Sequence, residues 1–353
     1  MNTEKLFEFE ECDRGYILKS FLLKKYPSVT EVEIPAKYKG KPVISIGRES
    51  FSHAEYLRSV KIAEGAEEIG RRSFYACENL KTVELPNSLK AIRLSAFTRC
   101  GKLENLLFPS GIKIIDNYAF SICESIRSLR LPDSLTRLGR AAFSNCSGLE
   151  AVVLPEKITA VSDNLFDSCR KLKKIEFPDS LKEIGEYSFA FCDLRRVKLP
   201  AGLKKIGNHA FYSCYKLEKV DFENASPQLK WSVFSRCPKL SAENVIQGIV
   251  CSIDISKPFP NTGDFDWDSA LREDVFALAM KHDSFALFNK EDVLWEISKR
   301  DPVQLLPLID NAGRSISEKI MEELLNNSIQ KGFVEATAWL LNYKKRKYGF
   351  EEV

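Results

Sequence analysis

Residues 135–155 read LTRLGRAAFSNCSGLEAVVLP, and this stretch decides the fold because much of the chain repeats it. The next copy opens at Ile158, 23 residues after Leu135. Self-similarity at a fixed period of this length is typical of a solenoid, in which each repeat forms one turn and packs on its neighbours. The recurring residues of this copy are Leu135, Leu138, Gly139, Phe143, Cys146, Leu149, Val152, Leu154 and Pro155.

Nine phenylalanines, one in each repeat, predict a solenoid of about nine turns. They follow one another at intervals of 22 or 23 residues: Phe51, Phe74, Phe97, Phe120, Phe143, Phe166, Phe189, Phe211 and Phe234. A cysteine stands three residues after each of them except Phe51, where Ala54 takes that place. The spacing shortens by one residue at Cys192-Asp193-Leu194, which predicts a local irregularity in the curvature of the array.

Each repeat also predicts one short strand. In Leu149-x-x-Val152-x-Leu154, the alternation places Val152 and Leu154 inward and the residue between them outward, as a half-buried strand requires. Proline after the strand ends the pairing because it has no N–H to donate, and a glycine such as Gly139 is expected to supply a backbone turn that a Cβ would hinder. The predicted strand segments open at Leu57, Leu80, Leu103, Ile126, Leu149, Leu172, Leu194 and Leu217.

The repeated unit joins Leu-x-x-Val-x-Leu-Pro to Leu-x-x-Ile-Gly-x-x-x-Phe-x-x-Cys. This pattern resembles the BspA-like leucine-rich repeats, the treponeme-type class found in bacterial and protist surface proteins. The resemblance covers residues 29–240. It implies a curved, parallel leucine-rich-repeat β-solenoid that binds proteins, often as an adhesin for host proteins.

Four segments are expected along the chain. Residues 1–28 predict an N-terminal cap hairpin around Asp13-Arg14-Gly15, because the first turn of a solenoid must cover its apolar interior. Residues 29–240 hold the leucine-rich repeats, and residues 241–268 predict a C-cap or linker with scattered glycines and prolines. In residues 269–353 the apolar residues change to helical spacing, which predicts an all-α domain.

Two stretches of the predicted helical domain look alike. Residues 305–313 and residues 336–344 both resemble the second helix of an ankyrin repeat. This resemblance implies an ankyrin-like domain. The Thr-Pro-Leu-His opening of ankyrin repeats is absent, so a plain helical bundle is the alternative.

Composition narrows the class of protein. The chain has 353 residues, of which 44% are hydrophobic and 29% charged, as in a soluble folded protein. The net charge of +3 is smaller than strong nucleic-acid binders usually carry.

No apolar run reaches the roughly 18 residues of a membrane span, and the acidic N-terminus does not resemble a signal peptide. We therefore expect a cytoplasmic protein; the alternative is a surface or secreted protein exported by a route that the sequence does not reveal.

The residues that usually carry chemistry are scattered or regularly spaced. Eight of the ten cysteines recur once per repeat, so they are expected to be reduced, buried core residues. The three histidines, His53, His209 and His282, stand singly, whereas a zinc site needs clustered ligands. No phosphate-binding, dinucleotide-binding or nucleophile-elbow motif occurs. The sequence therefore predicts no catalytic residue, no metal, no cofactor and no enzymatic activity.

The outward residues of the predicted strands form the candidate binding surface. Leu107, Ala151 and Val153 flank Arg130 and would make an apolar patch with a cationic centre, a composition typical of interface hot spots. The alternative is that these are ordinary exposed β-formers. We predict that a protein partner of unknown identity binds this patch, whose residues are Asn105, Leu107, Ser128, Arg130, Ala151 and Val153.

A basic cluster on later repeats is the alternative site. It would bind a polyanion, either an acidic glycan or a nucleic acid, or mediate surface adhesion, and its affinity would fall steeply with salt. Nucleic acid is the less favoured ligand, since no stacking aromatic residues lie between the basic ones. The cluster is also compatible with a solvated face balanced by nearby glutamates and aspartates. Its residues are Lys173, Lys174, Arg195, Arg196 and Lys198.

Overall fold

The computed structural model of the chain describes residues 3–22, 26, 28–222, 227–229, 233–240, 322, 325, 326, 329, 330 and 334–349. The chain divides into two compact units, and the described residues up to 240 all belong to the first. In the second unit, one helix, α1 (Val334–Tyr348), contains the predicted helical stretch 336–344. The predicted linker at 241–268 and the ankyrin-like stretch at 305–313 lie outside the described residues.

A hairpin opens the first unit, as the sequence predicts. After a short 3-10 helix, Thr3–Leu6, strands β1 (Phe7–Cys12) and β2 (Gly15–Phe21) pair antiparallel across the turn at Asp13 and Arg14. Strand β2 then pairs in parallel with β5 (Lys41–Ile46), whose other neighbour in the first repeat is the short β4 (Lys37–Tyr38). The hairpin therefore extends the ladder of the solenoid at its N-terminal end.

The remaining strands form two parallel ladders along the solenoid. We call the first ladder the strand face; it comprises β3 (Glu31–Ile34), β6 (Ser59–Ile62), β8 (Thr82–Glu84), β11 (Ser128–Arg130), β13 (Ala151–Val153), β15 (Lys174–Glu176), β17 (Arg196–Lys198) and β19 (Lys219–Asp221). The second ladder comprises β7 (Glu68–Ile69), β9 (Ala91–Ile92), β10 (Ile114–Ile115), β12 (Arg137–Leu138), β14 (Ala160–Val161), β16 (Glu183–Ile184), β18 (Lys205–Ile206) and β20 (Gln228–Leu229). It is interrupted once, because β12 and β14 do not pair. Residues 23 positions apart are Cα partners across most rungs, for example Leu129 and Val152, so the sequence period is the period of the fold.

The repeated phenylalanines form a continuous stack of rings through the core. Neighbouring rings from Phe51 to Phe234 lie 4.7–5.9 Å apart between centroids, with interplanar angles of 20° or less. The backbone follows the same period: the Phe74 N–H donates to the Ala96 carbonyl at 2.8 Å, and the Phe97 N–H donates to Ala119 at 2.7 Å. The predicted role of these phenylalanines as the filling of each turn is confirmed.

The corner that carries each phenylalanine uses two left-handed residues that are not glycine. Around Phe143 these are Ala141, with φ at 53°, and Asn145, with φ at 58°. The left-handed conformation disfavours L-residues by roughly 1–2 kcal/mol. Inter-rung hydrogen bonds offset this: the Ala141 N–H donates to Asp163 at 3.0 Å and the Asn145 N–H to Asp167 at 2.7 Å. The corner therefore keeps its regular conformation without glycine, the residue usually favoured at left-handed positions.

The strand face is interrupted at two places. The prediction of a strand at residues 103–108 is wrong, because residues 105–107 pair with neither β8 nor β11, although Leu103 and Leu106 remain buried. The second interruption lies between β15 and β17. The repeat is one residue shorter there, so the ladder breaks at the repeat for which the sequence predicts irregular curvature.

Both interruptions lie beside a rung whose last inward residue is phenylalanine rather than leucine or isoleucine. The ring of Phe108 meets Phe120 edge-on with 5.6 Å between centroids, and Phe177 meets Phe189 in the same way at 5.6 Å. Phe222 holds the same position in the last rung, where β17 and β19 remain paired, so a phenylalanine there does not by itself interrupt the ladder. The second interruption also coincides with the shorter repeat.

Candidate partner-binding surface

The predicted patch lies on the strand face, and the ladder register brings four of its six residues together. Arg130 and Val153 are Cα partners across β11 and β13, and so are Ser128 and Ala151. The buried Leu129 and Val152 separate these two pairs, so the four side chains form two adjacent columns on the outer surface.

The other two residues of the patch, Asn105 and Leu107, lie in the stretch of the strand face that has no ladder pairing. Its in–out alternation still holds, because Leu106 is buried while Asn105 and Leu107 are exposed. The Glu104 N–H donates to the Lys81 carbonyl at 3.0 Å, which keeps this stretch stacked on the preceding repeat. Leu107 therefore lies one rung before Arg130, as the period predicts.

Exposure distinguishes Leu107 and Val153 from the other aliphatic residues of the strand face. The side chain of Leu107 is 81% exposed and that of Val153 is 47% exposed, in a solenoid whose other valines, leucines and isoleucines on this face point inward. Arg130 is also exposed, and it forms no ion pair or side-chain hydrogen bond with any residue that the structure describes. An unpaired guanidinium thus stands between two exposed apolar side chains.

Several other charged residues on the strand face are paired. Lys61 lies 2.9 Å from Glu33, Lys174 lies 2.6 Å from Glu176, and Lys219 lies 3.7 Å from Asp221, measured between ammonium nitrogen and carboxylate oxygen. The hydrogen bond and charge of Glu33 raise the pKa of Lys61. These exposed pairs contribute little stability, but they neutralise the face on both sides of the patch.

The basic cluster is only partly unpaired. Lys173 lies 3.4 Å from Glu150, and Lys174 is paired with Glu176. Arg195 and Arg196 are exposed without an ion pair among the described residues, and Lys198 is exposed beside them in β17. The two lysine pairs reduce the local excess of positive charge on which polyanion binding would depend.

The sequence-based interpretation missed an aromatic cluster at the phenylalanine corner of the later repeats. The rings of Tyr187 and His209 are stacked with 4.8 Å between centroids, Tyr212 lies edge-on to both, and Phe191 lies 5.4 Å from Tyr212. Burial lowers the pKa of His209, although the charge of Glu186 opposes this, so the stack favours the neutral imidazole. The alignment of Tyr187 and His209, each two residues before an anchor phenylalanine, is the sequence signal that could have revealed the cluster.

The cysteine of each repeat is a hydrogen-bond donor as well as a core residue. Each thiol from Cys77 to Cys237 donates to the backbone carbonyl of the phenylalanine one repeat earlier, at Sγ–O distances of 3.1–3.3 Å. All eight are free and buried, which confirms that they are reduced core residues. Burial raises the pKa of Cys146 to about 12 and that of Cys123 well above its usual range.

Thiol labelling would test this ladder. Because the eight ladder thiols are buried out of reach of the reagent, they should be unreactive toward a disulfide reagent in the native protein at pH 8 and at pH 9, while Cys12, which is partly exposed, should react. In concentrated urea all ten should react. A Cys12→Ser variant identifies the fast-reacting group, and mass-spectrometric detection of label on any ladder cysteine before unfolding would contradict the prediction. Cys251 lies outside the described residues.

The described residues give no sign of a metal site or a membrane span. Among them, no three His, Cys, Asp or Glu side chains come close enough together to bind a metal ion. No helix in the described part of the chain is long and apolar enough to cross a bilayer.

Comparisons with known proteins agree with the fold. The profile described as BspA type leucine rich repeat region matches residues 17–150 and 142–254, with six copies. None of the curated proteins matches the chain. A leucine-rich repeat protein of T. pallidum is 23% identical, with a TM-score of 0.50 over 71% of this chain and 95% of that one. A leucine-rich repeat protein of Bacteroides ovatus is 26% identical, with a TM-score of 0.50 over 67% of this chain and 68% of that one.

Proposed function

Because the chain belongs to the BspA-type leucine-rich repeat family, we propose that it is a protein-interaction or adhesion module whose partner binds the strand face. Solenoids of this kind typically act by presenting an extended surface rather than by catalysis. The function therefore depends on which outward side chains the rigid ladder displays.

The exposure of Leu107 and Val153 on either side of Arg130 is the observation that carries this proposal. Covering a fully exposed valine or leucine side chain is worth about 1.5–3 kcal/mol. The scaffold beneath is ordered by the ladder and by the stacked phenylalanines, so little conformational entropy would be lost on binding. Apolar residues around an arginine are the composition found at the centres of protein interfaces.

Affinity capture with a double variant tests the strand face. With the whole chain as bait in a lysate of the source organism, a Leu107→Asp/Val153→Asp variant should retain a bound protein more than about tenfold less well than wild type, because two charges would enter a desolvated contact. Capture by wild type should survive a high-salt wash, since apolar contacts are not screened. Quantitative mass spectrometry of the eluted proteins measures both effects.

The control is Tyr215→Asp, which changes a side chain of similar exposure away from the strand face. It should leave capture unchanged. If wild type and the double variant retain the same proteins and salt removes them, the basic cluster is the binding surface and the strand-face proposal is wrong.

A further inference from the structure

The exposed column of the strand face carries a chemical pattern along the solenoid axis. Leu107, Arg130 and Val153 occupy one repeat each, in that order, at intervals of 23 residues. By the same interval Glu84 precedes them, and Glu176 follows as the Cα partner of Val153. A partner that lies across these rungs meets an apolar side chain, an unpaired guanidinium and a second apolar side chain. The inference of a partner class from this pattern rests on the proposed function, in which the strand face is the binding surface.

The spacing of this pattern is set by the rungs. The anchor rings of the same three turns are 5.1 Å apart from Phe97 to Phe120 and 5.4 Å apart from Phe120 to Phe143. The paired strands β11 and β13, which carry Arg130 and Val153, are likewise about 4.8 Å apart. Residues 105–107 are outside the ladder, so the position of Leu107 along the axis follows from the stack of rings. The two apolar side chains are therefore separated by about 10 Å along the axis, with Arg130 halfway between them.

A helix matches this spacing and an extended chain does not. On a helix, residues i, i+3 or i+4, and i+7 share a face and lie at about 0, 4.5 to 6, and 10.5 Å along the axis. On one face of a strand, side chains recur only about every 6.7 Å, so the third lies about 13 Å from the first. The third side chain of an extended segment would therefore miss Val153 by more than half of the spacing between rungs.

The charge of the central residue selects the partner's side chain. Arg130 has no ion pair among the described residues, whereas Lys61 and Lys174 on the same face are already paired with carboxylates. A guanidinium forms its strongest contacts with a carboxylate, through two parallel hydrogen bonds. The flanking apolar contacts would exclude water from that pair and strengthen it.

We propose that the strand face binds an amphipathic helix that runs along the solenoid axis and carries an acidic residue at i+3 or i+4 between apolar residues at i and i+7. The apolar residues contact Leu107 and Val153, and the carboxylate accepts hydrogen bonds from Arg130. The class of ligand is thus an acidic helical segment of another protein.

Two displayed peptide libraries, both selected on the whole chain, test this assignment. One randomises a single face of an alanine-rich helix, and the other is an unconstrained peptide of similar length. Binders from the helical library should converge on apolar–acidic–apolar at i, i+3 or i+4, and i+7. Purified peptides should lose at least about tenfold in affinity, measured by fluorescence anisotropy, toward Leu107→Asp and toward Arg130→Gln. Changing the peptide's acidic residue to its amide should weaken binding to wild type but not to Arg130→Gln.

Arg196→Gln, which removes an exposed arginine from another rung of the same face, is the matched control and should not change the affinity. If Leu107-dependent binders come only from the unconstrained library, or carry no acidic residue, the helix assignment is overturned and the strand-face function stands. If neither library gives a binder that Leu107→Asp weakens, both proposals are overturned.

Discussion

Replacing Phe189 with alanine is expected to lower the free energy of unfolding by about 3–5 kcal/mol. The ring is completely buried and is stacked between Phe166, at 5.6 Å, and Phe211, at 5.3 Å. Its removal leaves a cavity that spans two rung interfaces, and the hydrogen-bonded backbone on either side cannot collapse into it. Urea unfolding followed by far-ultraviolet circular dichroism measures the loss.

Phe191→Ala in the same repeat is the matched control. Phe191 is 39% exposed and its ring touches only the edge of Tyr212 in the aromatic cluster, so its truncation should change stability by less than about 1 kcal/mol. Equal losses for the two variants would show that the stack of rings does not hold the rungs together. Because repeat arrays can unfold in parts, hydrogen exchange should also show the loss of protection centred on the rungs next to Phe189.

The sequence predicted the architecture because a single period determines which residues are neighbours on adjacent turns of a solenoid. Once Phe143 and Cys146 recur at 23 residues, the neighbours of every residue across a rung follow by counting, and Arg130 must lie beside Val153. The cysteine ladder was predictable as buried, but its hydrogen bonds to the phenylalanine carbonyls were not. Those bonds form at corners that contain left-handed residues, and no local rule predicts that conformation at Ala141.

The loss of ladder pairing at residues 105–107 could not be predicted, because the spacing of the repeat is regular there. In the sequence pattern, a phenylalanine at position 108 fits an inward strand position as well as a leucine does. In the structure, however, Phe108 is only half-buried, its ring meets Phe120 edge-on at 5.6 Å, and residues 105–107 lie outside the ladder. At the candidate site, likewise, the sequence places Arg130 and Lys174 on one face, but it cannot show that Lys174 is paired and Arg130 is not.

Gly139→Ala is the second change with a large expected effect, a loss of about 3 kcal/mol in the free energy of unfolding. The expectation that this glycine supplies a turn needs correction, since it is not among the glycines with positive φ. A Cβ at residue 139 would instead lie 2.3 Å from the Asn117 nitrogen and 2.4 Å from the Asp116 carbonyl carbon, both in the preceding rung. These are backbone atoms of a hydrogen-bonded ladder, so the backbones of both rungs would have to move to relieve the clash.

Gly101→Ala is the matched control, because a Cβ at that position meets nothing within 4 Å. It should leave stability unchanged or raise it by about 0.4–1 kcal/mol through the reduced entropy of the unfolded chain. Chemical denaturation of the two variants in parallel separates a steric effect from a general effect of removing glycine. If Gly139→Ala is as stable as Gly101→Ala, the rungs are compliant at this contact and the close approach is not required for stacking. If only Gly139→Ala is destabilised, glycine recurs in this array because neighbouring backbones need the space.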